Sequence, residues 1–310
     1  MATSSHRWLE PALRLQSRAA CLVIAGFSVL AAIGLRFGLG VQVVVLLSGI
    51  VFVGFPHGAF DHLVARPVFA PRFGRLWWGP FGLAYLGLAG AVWLAWAIAP
   101  LATLVLFLVG SVLHFGLGDT EDGIAPRGIP RWMTVLVYGM LPILLPIAIH
   151  PSDAAPVLAA LGGVRESTMA SALSWTVLLI PFWLGASAWV SRAALREGSG
   201  LVGPVVTAVG FVLLPPLLAF GLYFGLVHSP RHVLRLGAWH DPRDPRRAMR
   251  WAAQTLVPAG AVCALGLSGL WLAGQDNSID VLAPMFRIIA ALTLPHMIVT
   301  ALLNQAETTS

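Results

Sequence analysis

The sequence predicts an all-α protein, a polytopic transmembrane helical bundle of about 8–10 spans. Three observations carry this. Of 310 residues, 58% are apolar and only 10% charged, with a mean hydropathy of +0.83, far from the composition of a water-soluble domain. The apolar residues gather in blocks of about 20, the length that crosses a bilayer core as helix. The charges fall between the blocks, and in lipid a backbone without water must bond to itself, which helices do. A disordered chain, a secreted disulfide scaffold and a soluble two-domain enzyme are excluded.

Taken in order, the blocks lie near 18–38, 40–56, 79–98, 100–117, 132–149, 171–190, 203–228, 252–273 and 281–303. The first follows Arg7, Arg14 and Arg18 as a secretory signal would, but no small-residue cleavage site follows it, so it reads as a retained helix. Positive charge beside it places residues 1–17 in the cytoplasm. The 57–78 loop, with Arg66, Arg72 and Arg75, and the 118–131 loop, with Arg127 and Arg131, then also fall inside. Three further crossings would put 229–250 outside, although it carries Arg231, Arg235, Arg243, Arg246, Arg247 and Arg250, the densest basic run of the chain. Two places are suspect: the short apolar stretch 154–163, and the 203–228 block, where Pro215 and Pro216 remove two amide donors. We expect 229–250 to be cytoplasmic, and residues 1–310 to form a single integral domain of the cell membrane with a short tail at 304–310.

The charge inventory adds a second exclusion. The net charge is +6, and all nineteen basic residues are arginine. Without lysine the chain cannot hold retinal as a Schiff base. The arginines are scattered between spans, which speaks for loop orientation and against nucleic-acid binding. Cys21 and Cys263 are far apart inside apolar stretches and form no CxxC pair.

Polar side chains at membrane depth are costly, so their positions inform. Six of nine histidines sit in the blocks or at their edges: His57 and His62 after the second, His114 late in the fourth, His228 and His232 after the seventh, His296 late in the last. Once 229–250 is moved inside, all six share one level near the cytoplasmic side. Basic loops and clustered imidazoles thus demand the same topological correction. His6, His150 and His240 read as solvated.

Imidazole suits iron, copper, zinc and nickel. His228 and His232, four apart, face one side of a helix, although Pro230 between them disturbs the local geometry. His57 and His114 would join them from two other helices. Asp61 and Asp119 are placed to accept the second ring N–H of a ligand. Four neutral imidazoles on Fe(II) leave two of six positions open. Haem, which needs opposed imidazoles, and a di-iron desaturase, which needs several His boxes, fit less well. A membrane permease passing protons or metal ions, or a haem or quinone redox protein, is the competing class.

Four segments, PHGAFDH at 56–62, LHFGLGD at 113–119, HSPRH at 228–232 and LPHM at 294–297, together resemble the Brp/Blh family of membrane-bound β-carotene 15,15′-dioxygenases. The resemblance covers most of the chain beyond its first 40 residues. It implies cleavage of the central double bond of all-trans-β-carotene by O2 to two molecules of all-trans-retinal, with Fe(2+) on His57, His114, His228 and His232. His62, His296, Asp61 and Asp119 also match, as further ligands or as supports of the ligands. It also implies a functional link to a retinal-binding rhodopsin. A hydrocarbon substrate dissolves in the lipid bilayer and offers no polar handle, so the central bond must be chosen by tunnel shape. Phe55, Phe60, Phe115, Tyr223 and Phe224, close in sequence to the histidines, are candidates to line the tunnel, and no side-chain acid, base or nucleophile is expected beyond the metal centre.

Overall fold

The computed structural model describes residues 8–120, 125–273 and 278–308, and among them every regular element is a helix. The elements are α1 (Leu9–Ala32), α2 (Leu39–Gly49), α3 (Phe55–Gly58), α4 (Asp61–Phe73), α5 (Trp78–Ile98), α6 (Pro100–Asp119), α7 (Arg131–Ile149), α8 (Pro151–Gly162), α9 (Glu166–Ser174), α10 (Ile180–Arg196), α11 (Val202–Leu213), α12 (Pro216–Tyr223), α13 (Ser229–His240), α14 (Pro245–Ala273) and α15 (Ser278–Thr308). Among the described residues, seven helical runs are long and apolar enough to cross a membrane: Leu9–Ala32, Leu39–Leu76, Trp78–Ile98, Pro100–Asp119, Arg131–Ile149, Glu166–Arg196 and Leu282–Ala301. The chain is therefore a multi-pass membrane protein.

Two boundaries differ from the sequence expectation. Helix α1 starts at Leu9, so Arg14 and Arg18 lie within it, and Arg14 pairs with Glu10 one turn earlier. The expected 57–78 loop is largely helical: the run from Leu39 continues through a π-helical turn at Ile50–Gly54 and then α3 into α4, which carries Arg66 and Arg72. Its first turn holds Asp61, the favoured sign at a helix N-terminus, and Gly74, at φ 57°, ends it.

The 203–228 block is a broken pair. Leu214 (φ −102°, ψ 148°) and Pro215 (φ −55°, ψ 146°) are extended, and the Tyr223 ring lies 5.7 Å from Phe211, twelve residues earlier. In one continuous helix these two would stand about 18 Å apart, so the chain has folded back. The other suspect, α8, is twelve residues, about 18 Å, and too short to cross. The return at Pro215 brings the basic loop to the expected side: Arg235 Nη1 donates to the Gly118 carbonyl at 2.6 Å, and Trp8 Nε1 to the Asp241 carbonyl at 3.2 Å. The start of α1, the end of α6 and the 229–250 segment thus share one face.

Glycines set the two closest crossings. A Cβ at Gly116 would collide with the Val135 carbonyl, and one at Gly139 with the Val112 carbonyl, so α6 and α7 pair along nearly their whole length. Between α2 and α12, a Cβ at Gly225 would stand 2.8 Å from Gly49 Cα, and one at Gly221 2.8 Å from Leu46 Cα. With no hydrophobic gain between helices in lipid, such small residues permit the close contact that holds them. This second crossing abuts two π-helical turns, Ile50–Gly54 and Phe224–His228.

Candidate metal centre

Each π turn leads directly to a histidine. The widened turn admits one extra residue, a distortion frequent at functional sites; the first is followed by His57 on α3, and the second ends on His228. Here α6 brings His114, α13 brings His232 and α15 brings His296. The five rings form one cluster: His57 lies 5.0 Å from His296, 5.5 Å from His232 and 6.2 Å from His228, and His114 lies 5.0 Å from His228 and 5.3 Å from His296, centroid to centroid. One nitrogen each from His57, His114 and His228 falls within 4.8 Å of the other two. His62 stands apart from these rings: exposed, it donates from Nδ1 to the Ala59 carbonyl at 2.7 Å.

Three of the clustered rings have their tautomer set by their surroundings. His228 Nδ1 faces Asp119 Oδ1 at 3.1 Å, and Tyr223 donates its hydroxyl to Asp119 Oδ2 at 2.8 Å. His296 Nδ1 faces Asp61 Oδ1 at 2.7 Å, and Tyr85 donates to Asp61 Oδ2 at 2.8 Å. His57 Nδ1 meets the Gly54 carbonyl. A carboxylate or carbonyl only accepts, so in each ring Nδ1 carries the proton and Nε2 keeps its lone pair. Both carboxylates and all three rings are buried.

These donors fit a metal ion. His228 Nε2 and His114 Nε2 point at one another at 3.2 Å. Ligands about 2.1 Å from an ion and about 90–109° apart leave their donor atoms about 3.0–3.4 Å from each other, which this pair satisfies. Uncharged imidazole nitrogens suit iron, copper, zinc and nickel alike.

The sequence placed Asp61 and Asp119 near His57 and His114, whereas the tertiary structure gives them to His296 and His228. Tyr85, which drew no attention in the sequence, completes the first relay. Its signal was available: a tyrosine hydroxyl in an apolar span needs a partner. Tyr223, a candidate tunnel residue, is the donor of the second relay. Phe60 is fully buried and packs on Trp251 at 4.9 Å, away from the histidines. Phe115 and Phe224 do line the cavity at the site, while the Phe55 side chain lies outside the described residues. His240 stacks on Trp251 at 4.3 Å, His150 Nε2 donates to the Val212 carbonyl in the last turn of α11 at 3.1 Å, and His6 lies outside the described residues.

The rings of His57, His114 and His296 face a cavity of about 810 Å³, toward the upper end of ligand-pocket volumes. Its walls are mostly aliphatic and aromatic. Pro142 and Pro146 of α7 and Pro258 of α14 interrupt the helical ladder and line the space, as does Pro216 at the first position of α12.

The sequence profile of the β-carotene 15,15′-dioxygenase family matches residues 48–304, a stretch that contains all of these histidines. Among curated relatives, the probable β-carotene 15,15′-dioxygenase Blh of Halobacterium salinarum is 29% identical over 294 residues, covering 84% of each chain. The β-carotene 15,15′-dioxygenase of an uncultured marine bacterium, 66A03, is 28% identical over 261 residues, 81% of this chain and 90% of that one. The probable dioxygenase Brp of Halobacterium salinarum is 26% identical over 334 residues, 94% of this chain and 92% of its own. No solved structure matches. The cluster of imidazoles, the apolar cavity and the extent of this match lead to one assignment: the chain belongs to the β-carotene 15,15′-dioxygenase family.

Proposed function

We propose that this protein cleaves the central 15,15′ double bond of all-trans-β-carotene with O2, releasing two molecules of all-trans-retinal, and that Fe(2+) on His57, His114, His228 and His232 is its cofactor, with His296 directed into the same space. The observation that carries this reading is the convergence of three ligand nitrogens within 4.8 Å at an 810 Å³ apolar cavity. Iron(II) on neutral imidazoles supplies the activation of dioxygen. Each aldehyde takes one of the two oxygen atoms, so the reaction balances without an external reductant.

The chain's own residues bind, aim and exclude. Asp119 and Asp61 hold the His228 and His296 rings with Nε2 inward, and Tyr223 and Tyr85 hold the carboxylates. The cavity wall receives a hydrocarbon that leaves its lipid solvent for a surface of similar polarity, and keeps water from the reacting bond. A permease using the same residues would string its histidines along a path through the membrane, whereas each of the five rings here has a neighbour whose centroid is 5.0–5.5 Å away. The cell membrane is the corresponding location.

Expression in a carotene-accumulating bacterium tests the reaction. Colour should fade and retinal accumulate, with one labelled oxygen atom per aldehyde under labelled O2; unequal-length apocarotenals as the main products would overturn central cleavage. His114→Ala and His228→Ala should each lose bound iron together with activity. Full iron occupancy in both would refute the ligand assignment.

A further inference from the structure

The geometry points to α8 as the stop that selects which double bond reaches the histidines, an inference that rests on the proposed cleavage reaction. On α15, the cavity wall runs from His296 through Thr293, Leu292 and Ile289 to Phe286. The ten steps of helix from His296 to Phe286 measure about 15 Å at 1.5 Å per residue, comparable with the extended length of one half of β-carotene, a ring and its polyene arm. Past Phe286 the lining passes to α8, through Asp153, Ala154, Val157, Leu158 and Leu161.

This floor is fixed in place at the same level. Arg287, next to Phe286, donates through Nη2 to the Ala160 carbonyl at 3.1 Å, and Trp96 Nε1 donates to the Leu161 carbonyl at 2.8 Å. Both bonds occupy carbonyls of the last turn of α8, which have no partner within the helix. Gly163, at φ 66°, ends α8 against Pro100, where a Cβ would lie 3.1 Å from the proline ring. Ala155 and Leu161 are almost fully buried. A short helix that does not cross the membrane is thus tied to the first residue of α6, to the last turns of α5 and to the middle of α15.

A hydrocarbon has no group by which to register itself through hydrogen bonds. Its position along the cavity is set where it can go no further. With one ring seated on α8, the central bond lies level with His114 and His296, and the other half leaves past Gly58 and Ala59, which have little or no side chain to obstruct it.

The test compares the wild-type protein with Leu158→Ala, Leu161→Ala and Ala154→Phe, each supplied with β-carotene in membranes, reading product chain lengths, bound iron and thermal unfolding. Lowering the floor with either alanine should shift the product from retinal alone to an unequal pair of apocarotenals, with iron content unchanged. Raising it with phenylalanine should displace the cut in the opposite sense and also yield an unequal pair. Variants that bind iron, consume β-carotene and still release only retinal would overturn the role of α8. Should one alanine variant unfold, the other and Ala154→Phe still decide. A wild-type protein that makes no retinal would instead overturn the cleavage reaction on which this inference rests.

Discussion

At the scale of single residues, the centre depends on acceptors that fix rings. Asp61 and Asp119 each bridge one imidazole and one tyrosine, so each carboxylate acts on its ligand through orientation and charge. Asp119→Asn, behind the proposed ligand His228, keeps an acceptor oxygen but removes the charge, and should weaken iron binding about 10–100-fold, the usual effect of disturbing a partner of a ligand. Chelator competition measures it. Tyr223→Phe removes one hydrogen bond to Asp119 and should act in the same direction by about 1 kcal/mol. Of these residues the sequence exposed the histidines and the two acids, because charged and imidazole groups in apolar blocks are conspicuous. It could not show which acid served which ring: Asp61 is 235 positions from His296 and Asp119 is 109 from His228, and only packing creates those pairs.

At the scale of elements, the site is held by close helix pairs and by one capped turn. The crossing of α6 with α7 positions His114, and it tolerates nothing larger than hydrogen at Gly139. Gly139→Val should force the helices apart at a cost of about 1–3 kcal/mol, read as a lower unfolding midpoint, with loss of iron as His114 moves. Between α13 and α14, the amides of Asp244 and Arg243 donate to Asp241 and hold its carboxyl below the usual carboxylate range. That support is present above the ordinary carboxyl pKa and is lost as pH falls through the lowered one. Asp244 in turn accepts from the Arg246 and Arg247 amides at 2.8 and 3.2 Å, capping α14. Asp244→Ala should destabilise the protein by about 1 kcal/mol, measurable by denaturant titration in detergent. The prolines and basic residues of this segment were legible in the sequence, but the expected 229–250 loop is mostly helix, α13 followed by the first turn of α14. The reversal at Leu214–Pro215 was suspected there, because two adjacent prolines remove two amide donors, but a kink and a full return leave the same trace.

At the scale of the whole molecule, the start of α1, the end of α6 and the 229–250 segment lie on one face. Single cysteines at Arg127 and Arg243, introduced with Cys21 and Cys263 replaced by alanine, should label from the same side of sealed vesicles, whichever side that is. Labelling from opposite sides would contradict the folded-back pair of α11 and α12. The sequence by itself determined that the chain spans a membrane as helices, because an apolar excess in blocks of bilayer length has no other way to satisfy its backbone. It also determined that imidazoles gather at one level, because loop charge and histidine position require the same parity. Tertiary packing alone pairs Asp119 and Asp61 with His228 and His296 and brings Tyr85 to Asp61. Those outcomes depend on which helix faces lie opposite one another. In a bundle whose faces are nearly all apolar, the periodicity that would mark an inward side is absent, and small residues at a few crossings settle the arrangement.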